Sequence, residues 1–184
     1  MKNIKFSRLL AAMMFVACLV LVGCKQPTDD NGSQPAAVVL PENVRALTNE
    51  DGIVGKWTYD DKSWNAYGDY ACNYASNKIE TASYGIQTGT VYVQEVSETS
   101  GFIYYQFSDD MTGYGPAPDF TPFTVECAGK WCAVAYKNLT ADSVQMCDAY
   151  KTYDFADSLS AAVTLYTVDN GWFAGIDTTF TKVN

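Results

Sequence analysis

From Ile53 onward the chain runs as short apolar stretches of period-two character, broken by glycines and by Asp-rich clusters. That pattern constrains the fold most. Alternate side chains of a strand point to opposite faces, so such stretches must pair into sheets with one face buried. Many short strands at close spacing predict a mainly β domain, either a single antiparallel barrel or a β-sandwich. The 132 residues from 53 to 184 are enough for one domain, burying about two-thirds of the surface that its unfolded chain exposes.

The stretches place strands near Val54–Tyr59, Tyr67–Tyr74, Lys78–Ser83, Val91–Val96 and Phe102–Phe107. Glu98-Thr99-Ser100-Gly101 reads as a hairpin loop in which Gly101 supplies the positive φ. Residues 111–122 read as loop, given Gly113, Gly115, Pro116, Pro118 and Pro122. Phe123–Cys127 and Cys132–Lys137 then form a hairpin around Ala128-Gly129-Lys130-Trp131, followed by a strand over Ser143–Tyr150. One short helix is predicted from Ser158 to about Val168, capped by Asp157 and stopped at Asn170-Gly171, with Leu159, Val163 and Tyr166 on one face. Strands at Trp172–Ile176 and Thr178–Val183 close the chain. The total is about eight or nine strands and one helix near the C-terminus.

The N-terminal end is different in kind. Lys2, Lys5 and Arg8 precede an almost unbroken apolar run, Leu9 to Val22, which ends at Gly23-Cys24. About 20 residues are needed to span a bilayer as a helix, so the run is too short. A basic start, a short apolar run and a small-residue exit form the pattern of a secretory signal, here residues 1–23. Leu21-Val22-Gly23-Cys24 resembles the lipobox of bacterial lipoproteins at all four positions. The resemblance implies diacylglycerol on the Cys24 thiol, cleavage before it and acylation of the new N-terminus, palmitate being the usual chain. Each buried methylene contributes about 0.8 kcal/mol, so several chains hold a soluble domain on a membrane where one does not. No other cofactor is implied. In that family Asp after the cysteine favours inner-membrane retention, whereas Lys25 stands here, which leans the expected address in the cell envelope toward the outer membrane. Residues 24–52, with Pro27, Pro35 and Pro41 and a polar cluster from Thr28 to Gln34, read as the lipidated end and a flexible tether.

Removing residues 1–23 leaves 9 Lys+Arg against 21 Asp+Glu, a net charge of −12. That balance argues against nucleic acid as a partner and against electrostatic binding to anionic lipid. There is no histidine, so the commonest general base and metal ligand is missing. Cys72, Cys127, Cys132 and Cys147 remain for the exported domain. Disulfides are preferred to zinc, because export places the chain where disulfides persist and the spacing lacks the close pairs of a zinc ribbon. Four cysteines allow three pairings. In the predicted hairpin Cys127 faces Cys132, which would leave Cys72 to pair with Cys147.

Gly55-Lys56-Trp57 near the start of the first strand resembles the Gly-x-Trp signature of lipocalins and related calycin barrels. The resemblance implies an up-and-down barrel whose closed end is plugged by Trp57 and whose open end holds a small apolar ligand. Lipocalins set an Arg from the last strand against that Trp, and this chain has no Arg after Arg45. The segments 133–140, 143–151 and 170–173 are also similar to small, uncharacterised surface lipoprotein domains of spirochaete type.

The sequence carries few residues in catalytic patterns. Without His, serine or cysteine catalysis needs a Lys or carboxylate base, and no Gly-x-Ser-x-Gly elbow is present. Asp60-Asp61 and Asp109-Asp110 are adjacent acids suited to a glycosidase-like pair, yet both sit in predicted turns, where Asp is expected for backbone reasons. Thirteen Tyr and four Trp exceed what a core of this size needs. Tyr104-Tyr105 and Tyr67, Tyr70 and Tyr74 must therefore place some rings outward or into a cavity. There they either cap barrel ends and cover edges or suit sugar stacking or a protein partner. The expectation is a non-enzymatic, lipid-anchored, lipocalin-like envelope protein with a small apolar or aromatic ligand. The alternative is a surface interaction or adhesion protein with a filled barrel that contacts host or envelope proteins. A carboxylate-dependent hydrolase is the third reading.

Overall fold

The structure, a computed structural model, describes residues 38, 40–59, 70–81, 83–115 and 120–183, all within one compact unit, Ala37–Asn184. Residues 1–23, read as a signal, the Leu21–Cys24 motif and about half of the segment read as tether lie outside the described residues. Among the described residues no helix is long and apolar enough to cross a membrane.

The domain is mainly β and antiparallel. Twelve strands and one helix are described: β1 Val44–Ala46, β2 Gly55–Tyr59, β3 Tyr70–Ala75, β4 Lys78–Thr81, β5 Gly85–Thr88, β6 Tyr92–Ser97, β7 Ser100–Gln106, β8 Met111–Tyr114, β9 Pro122–Val125, β10 Trp131–Lys137, β11 Ser143–Asp148, α1 Leu159–Leu165 and β12 Thr179–Lys182. Ten strands form one sheet in the order β1-β6-β7-β10-β11-β12-β2-β3-β4-β5, and β8 pairs with β9 as a separate hairpin. The hydrogen-bonded ladder ends at β1 and at β5, so the sheet is not closed into a barrel. It nevertheless curls far enough to bring the β5 edge to the end of β7. There Thr88 N–H donates to Ser108 Oγ at 2.7 Å, and Ser108 N–H donates to Gln87 Oε1 at 2.8 Å.

Register decides which side chains share the inner face, because directly paired residues point the same way. The pairs Tyr136↔Met146, Val144↔Phe180, Lys182↔Trp57, Trp57↔Cys72 and Tyr74↔Ile79 run across the sheet on one side. β10 sits in the middle and is buried from Trp131 to Tyr136. Its second face is covered in part through Phe102 of β7, which meets Phe173 with ring centroids 5.7 Å apart. α1 packs on β10 and fixes Tyr166, whose hydroxyl donates to Trp131 O at 2.9 Å. A strand buried on both faces carries no solvent alternation. Accordingly Cys-Ala-Val-Ala-Tyr reads as a continuous apolar run.

Several expectations change. The hairpin predicted around 128–131 does not form. Its turn closes, with Lys130 N–H donating to Cys127 O at 2.8 Å and Gly129 at φ +78°. The turn then pairs with the end of β7, through Gly129 N–H to Phe107 O and Phe107 N–H to Lys130 O, both 2.9 Å. β9 turns away to β8 and β10 lies between β7 and β11, so Cys132 faces Tyr105, not Cys127. The stretch 111–114, predicted as loop, is β8. Gly101 is not a turn glycine. It lies inside β7, where an added Cβ would fall far inside contact distance of Gln94 O and 2.8 Å from Tyr136 Oη. The helix starts after Ser158, whose Oγ accepts the Ala161 N–H at 3.1 Å, so Ser158 and not Asp157 is the cap. Residues 174–177 form turns in place of the predicted strand. The folded unit also takes in residues read as tether. β1 pairs with β6, and Val44 and Leu47 are buried, while Val38 and Leu40 stay exposed.

Candidate functional site: an aromatic cavity with a buried carboxyl

The cavity follows from a short strand. β12 pairs with β11 only from Ser143 to Gln145, so the upper half of β11 has no strand partner on that side. The turn Gly175–Thr178 takes its place, with Thr178 O accepting Met146 N–H at 3.1 Å. Between this turn, β11, β2 and β3 lies a cavity of about 490 Å³. Tyr59, Tyr74, Met146, Asp148 and Phe180 wall it, with Cys72, Cys147, Ser83, Tyr150, Gly175 and Thr178 completing the lining. Volume and lining match the concave, largely apolar sites that hold small ligands. Tyr59 and Phe180 stack obliquely with centroids 5.6 Å apart, and Tyr74 Oη donates to Met146 Sδ at 3.3 Å.

Asp148 is the polar exception. It is the last residue of β11 and 7% exposed. Its Oδ2 accepts the Ser83 N–H at 2.7 Å. Burial raises its pKa above the usual carboxylate value, and the polar groups of Ser83 and Thr81 only partly offset the effect. No ion pair among the described residues involves it. Tyr74 Oη, fully buried beside it, is held well above the ordinary phenol value, chiefly by desolvation and then by Cys72 and Asp148.

Below the cavity lies the Gly-x-Trp segment. Trp57 is fully buried, and its Nε1–H donates to Ile53 O at 2.8 Å. Over its ring, 5.0 Å from the centroid, stands Lys182 Nζ from the last strand, which also donates to Gly52 O at 3.1 Å. Gly55 has φ +129°, and a Cβ there would lie 3.0 Å from Lys182 Cε. Gly55 therefore leaves room for the Lys182 stem, and a cation from the last strand covers Trp57.

The remaining candidates are scattered. Cys72 and Cys147 both line the cavity. Cys132 is buried away from solvent, and burial pushes its thiol up to about 12. Cys127 Sγ donates to Asp109 O at 3.4 Å. No disulfide joins Cys127, Cys132 or Cys147 in this structure. Asp109 and Asp110 are exposed, and Asp110 Oδ1 accepts the N–H groups of Cys127 and Ala128, each at 2.9 Å. Asp60-Asp61 and Cys24 lie outside the described residues. Among the described residues no group of three or more Cys, Asp or Glu could hold a metal ion. Asp148, the most unusual group in the domain, was missed in the sequence. It stands alone in Met146-Cys147-Asp148-Ala149-Tyr150, and only its odd position in an alternating apolar strand signals it.

The chain matches no protein-family model, no curated protein and no solved structure.

Proposed function

We propose that this protein is a lipid-anchored, non-enzymatic lipoprotein of the cell envelope that binds a small apolar or aromatic ligand. The aromatic cavity of about 490 Å³ between β11, β2 and β3 carries the reading. A lipocalin-like plan is supported by three features. The sheet is antiparallel and curls until β5 reaches β7. Trp57 is buried on its inner face. Lys182 from the last strand occupies the place that lipocalins give to arginine. The anchor rests on Leu21–Cys24, and the outer-membrane address on Lys25.

Two experiments test this. Native mass spectrometry of protein purified from its own cell should find a co-purifying small molecule, and the Trp fluorescence should change on titration with an apolar probe. A clean apo mass and a flat titration would reject the ligand reading. Labelling with radioactive palmitate should mark the wild type and not Cys24→Ser; equal labelling of both would reject the anchor.

A second reading, surface interaction through the β8–β9 region, is favoured by four aromatic side chains there. Tyr114 is 62% exposed, Phe120 59%, Phe123 43% and Tyr153 42%. Phe123 and Tyr153 meet edge to face at 5.8 Å, so these rings are held in place for a partner. Pull-down from envelope extracts that is lost in Tyr114→Ser/Phe123→Ser, with the cavity empty, would select this reading.

A further inference from the structure

Among the described residues Asp148 is the one buried acidic side chain, and it faces a cavity in place of a cation. Burying a carboxyl group is unfavourable unless hydrogen bonds or an opposite charge compensate. Here the Ser83 N–H, in the turn between β4 and β5, donates to the carboxyl, and Thr81 lies close by. The rest of the wall includes Tyr59, Tyr74, Phe180 and Met146. Aromatic faces carry negative electrostatic potential and attract organic cations, and a thioether is polarizable in the same sense. A carboxyl group with aromatic rings around it is thus a recognition site for positive charge attached to an apolar body. The net charge of −12 that remains without residues 1–23, 9 Lys+Arg against 21 Asp+Glu, would also draw cations toward the protein.

We infer that the ligand of this cavity is a small organic amine, its ammonium group hydrogen-bonded to Asp148 and its apolar or aromatic body packed against Tyr59, Tyr74 and Phe180. This rests on the ligand-binding reading above and narrows it to one chemical class. The cation supplies the charge partner that Asp148 lacks within the fold. The rings supply the contact area, and desolvation of the ammonium is offset by their faces. A carboxylate ligand would meet a carboxyl group, and a neutral ligand would leave Asp148 without a charge partner.

The test uses three probes with one body and different heads: 2-phenylethylamine, 2-phenylethanol and phenylacetate. Binding to the full chain is measured by titration calorimetry at neutral pH. The amine should bind about tenfold or more tighter than the alcohol, the worth of one charge-assisted hydrogen bond. Phenylacetate should bind weakest. Asp148→Asn keeps the shape and the Ser83 contact while removing the charge, and should bring the amine down to within about threefold of the alcohol. A thermal unfolding transition checks that this variant is folded. Tyr59→Leu, at the cavity wall, gives a second variant, which should weaken the amine more than the alcohol. Equal binding of amine and alcohol to the wild type overturns the amine assignment and leaves the ligand reading standing. Binding of the amine that Asp148→Asn and Tyr59→Leu both leave unchanged overturns the assignment to this cavity. No heat with any probe overturns both.

Discussion

Replacing Gly55 by alanine tests whether the Gly-x-Trp segment works as a physical device. At φ +129° an L-residue is strained, which costs about 1–3 kcal/mol. The new Cβ would also stand 3.0 Å from Lys182 Cε and press the lysine away from Trp57. That forfeits a cation–π contact of about 0.5–1 kcal/mol. It also strains the hydrogen bond from Nζ to Gly52 O, worth about 1 kcal/mol. The expected loss is roughly 2–4 kcal/mol, a large share of the 5–15 kcal/mol typical of a domain. Urea unfolding followed by Trp fluorescence reads it as a lower midpoint at constant slope. Lys182→Met alone should cost about 1–2 kcal/mol. In the double variant the cation–π contact and the hydrogen bond to Gly52 O are already gone, so the two losses should fall short of additive by about 1 kcal/mol. A Gly55→Ala loss below about 0.5 kcal/mol, or strict additivity, would refute the account.

Three further outcomes follow from the same structure. Asp148 has a folded pKa above its unfolded value, so the folded state holds the extra proton. Its contribution is full below about pH 3.9 and declines as pH rises through the folded pKa. Asp148→Asn should therefore gain on the wild type in unfolding free energy as pH rises above about 4, and a pH-independent difference would contradict the burial argument. Asp51, held below the usual range by Arg45, acts in the opposite sense and cancels in that difference. Gly101→Ala should cost about 1–3 kcal/mol or more, because the backbone oxygen of Gln94 has nowhere to move. Tyr136→Phe in that background should rescue it only in part, and full rescue would place the clash on the tyrosine alone. In protein kept reduced, Cys132 should resist iodoacetamide in the native state near neutral pH and react after denaturation, as read by peptide mass mapping; native labelling would show that its site opens.

Much of the fold is legible from local pattern. Period-two runs locate β2, β4, β6, β7 and β11 within a few residues, a continuous apolar run locates β10, and the apolar face Leu159, Val163, Tyr166 locates α1. What misleads is pairing. The turn at Cys127–Lys130 carries a hairpin signature, yet Asp110 captures the N–H groups of Cys127 and Ala128 and the turn joins β7. Gly101 carries the signature of a turn residue, and its real constraint is the approach of Gln94 and Tyr136 from neighbouring strands. Both errors have one cause. A glycine or a turn motif states what the backbone can do locally, and distant strands decide which option is used.

The sequence by itself determined the antiparallel, mainly β class and the short C-terminal helix, because side-chain periodicity acts over a few residues. Tertiary structure alone decided that Lys182 covers Trp57, that β12 stops short beside β11, and that Asp148 closes one wall of the resulting cavity. Those features depend on strand register across the sheet, between positions as far apart as Trp57 and Lys182 or Ser83 and Asp148. No local pattern encodes such a register. It emerges when one face of the whole sheet is buried at once, and the cavity is what that burial leaves unfilled.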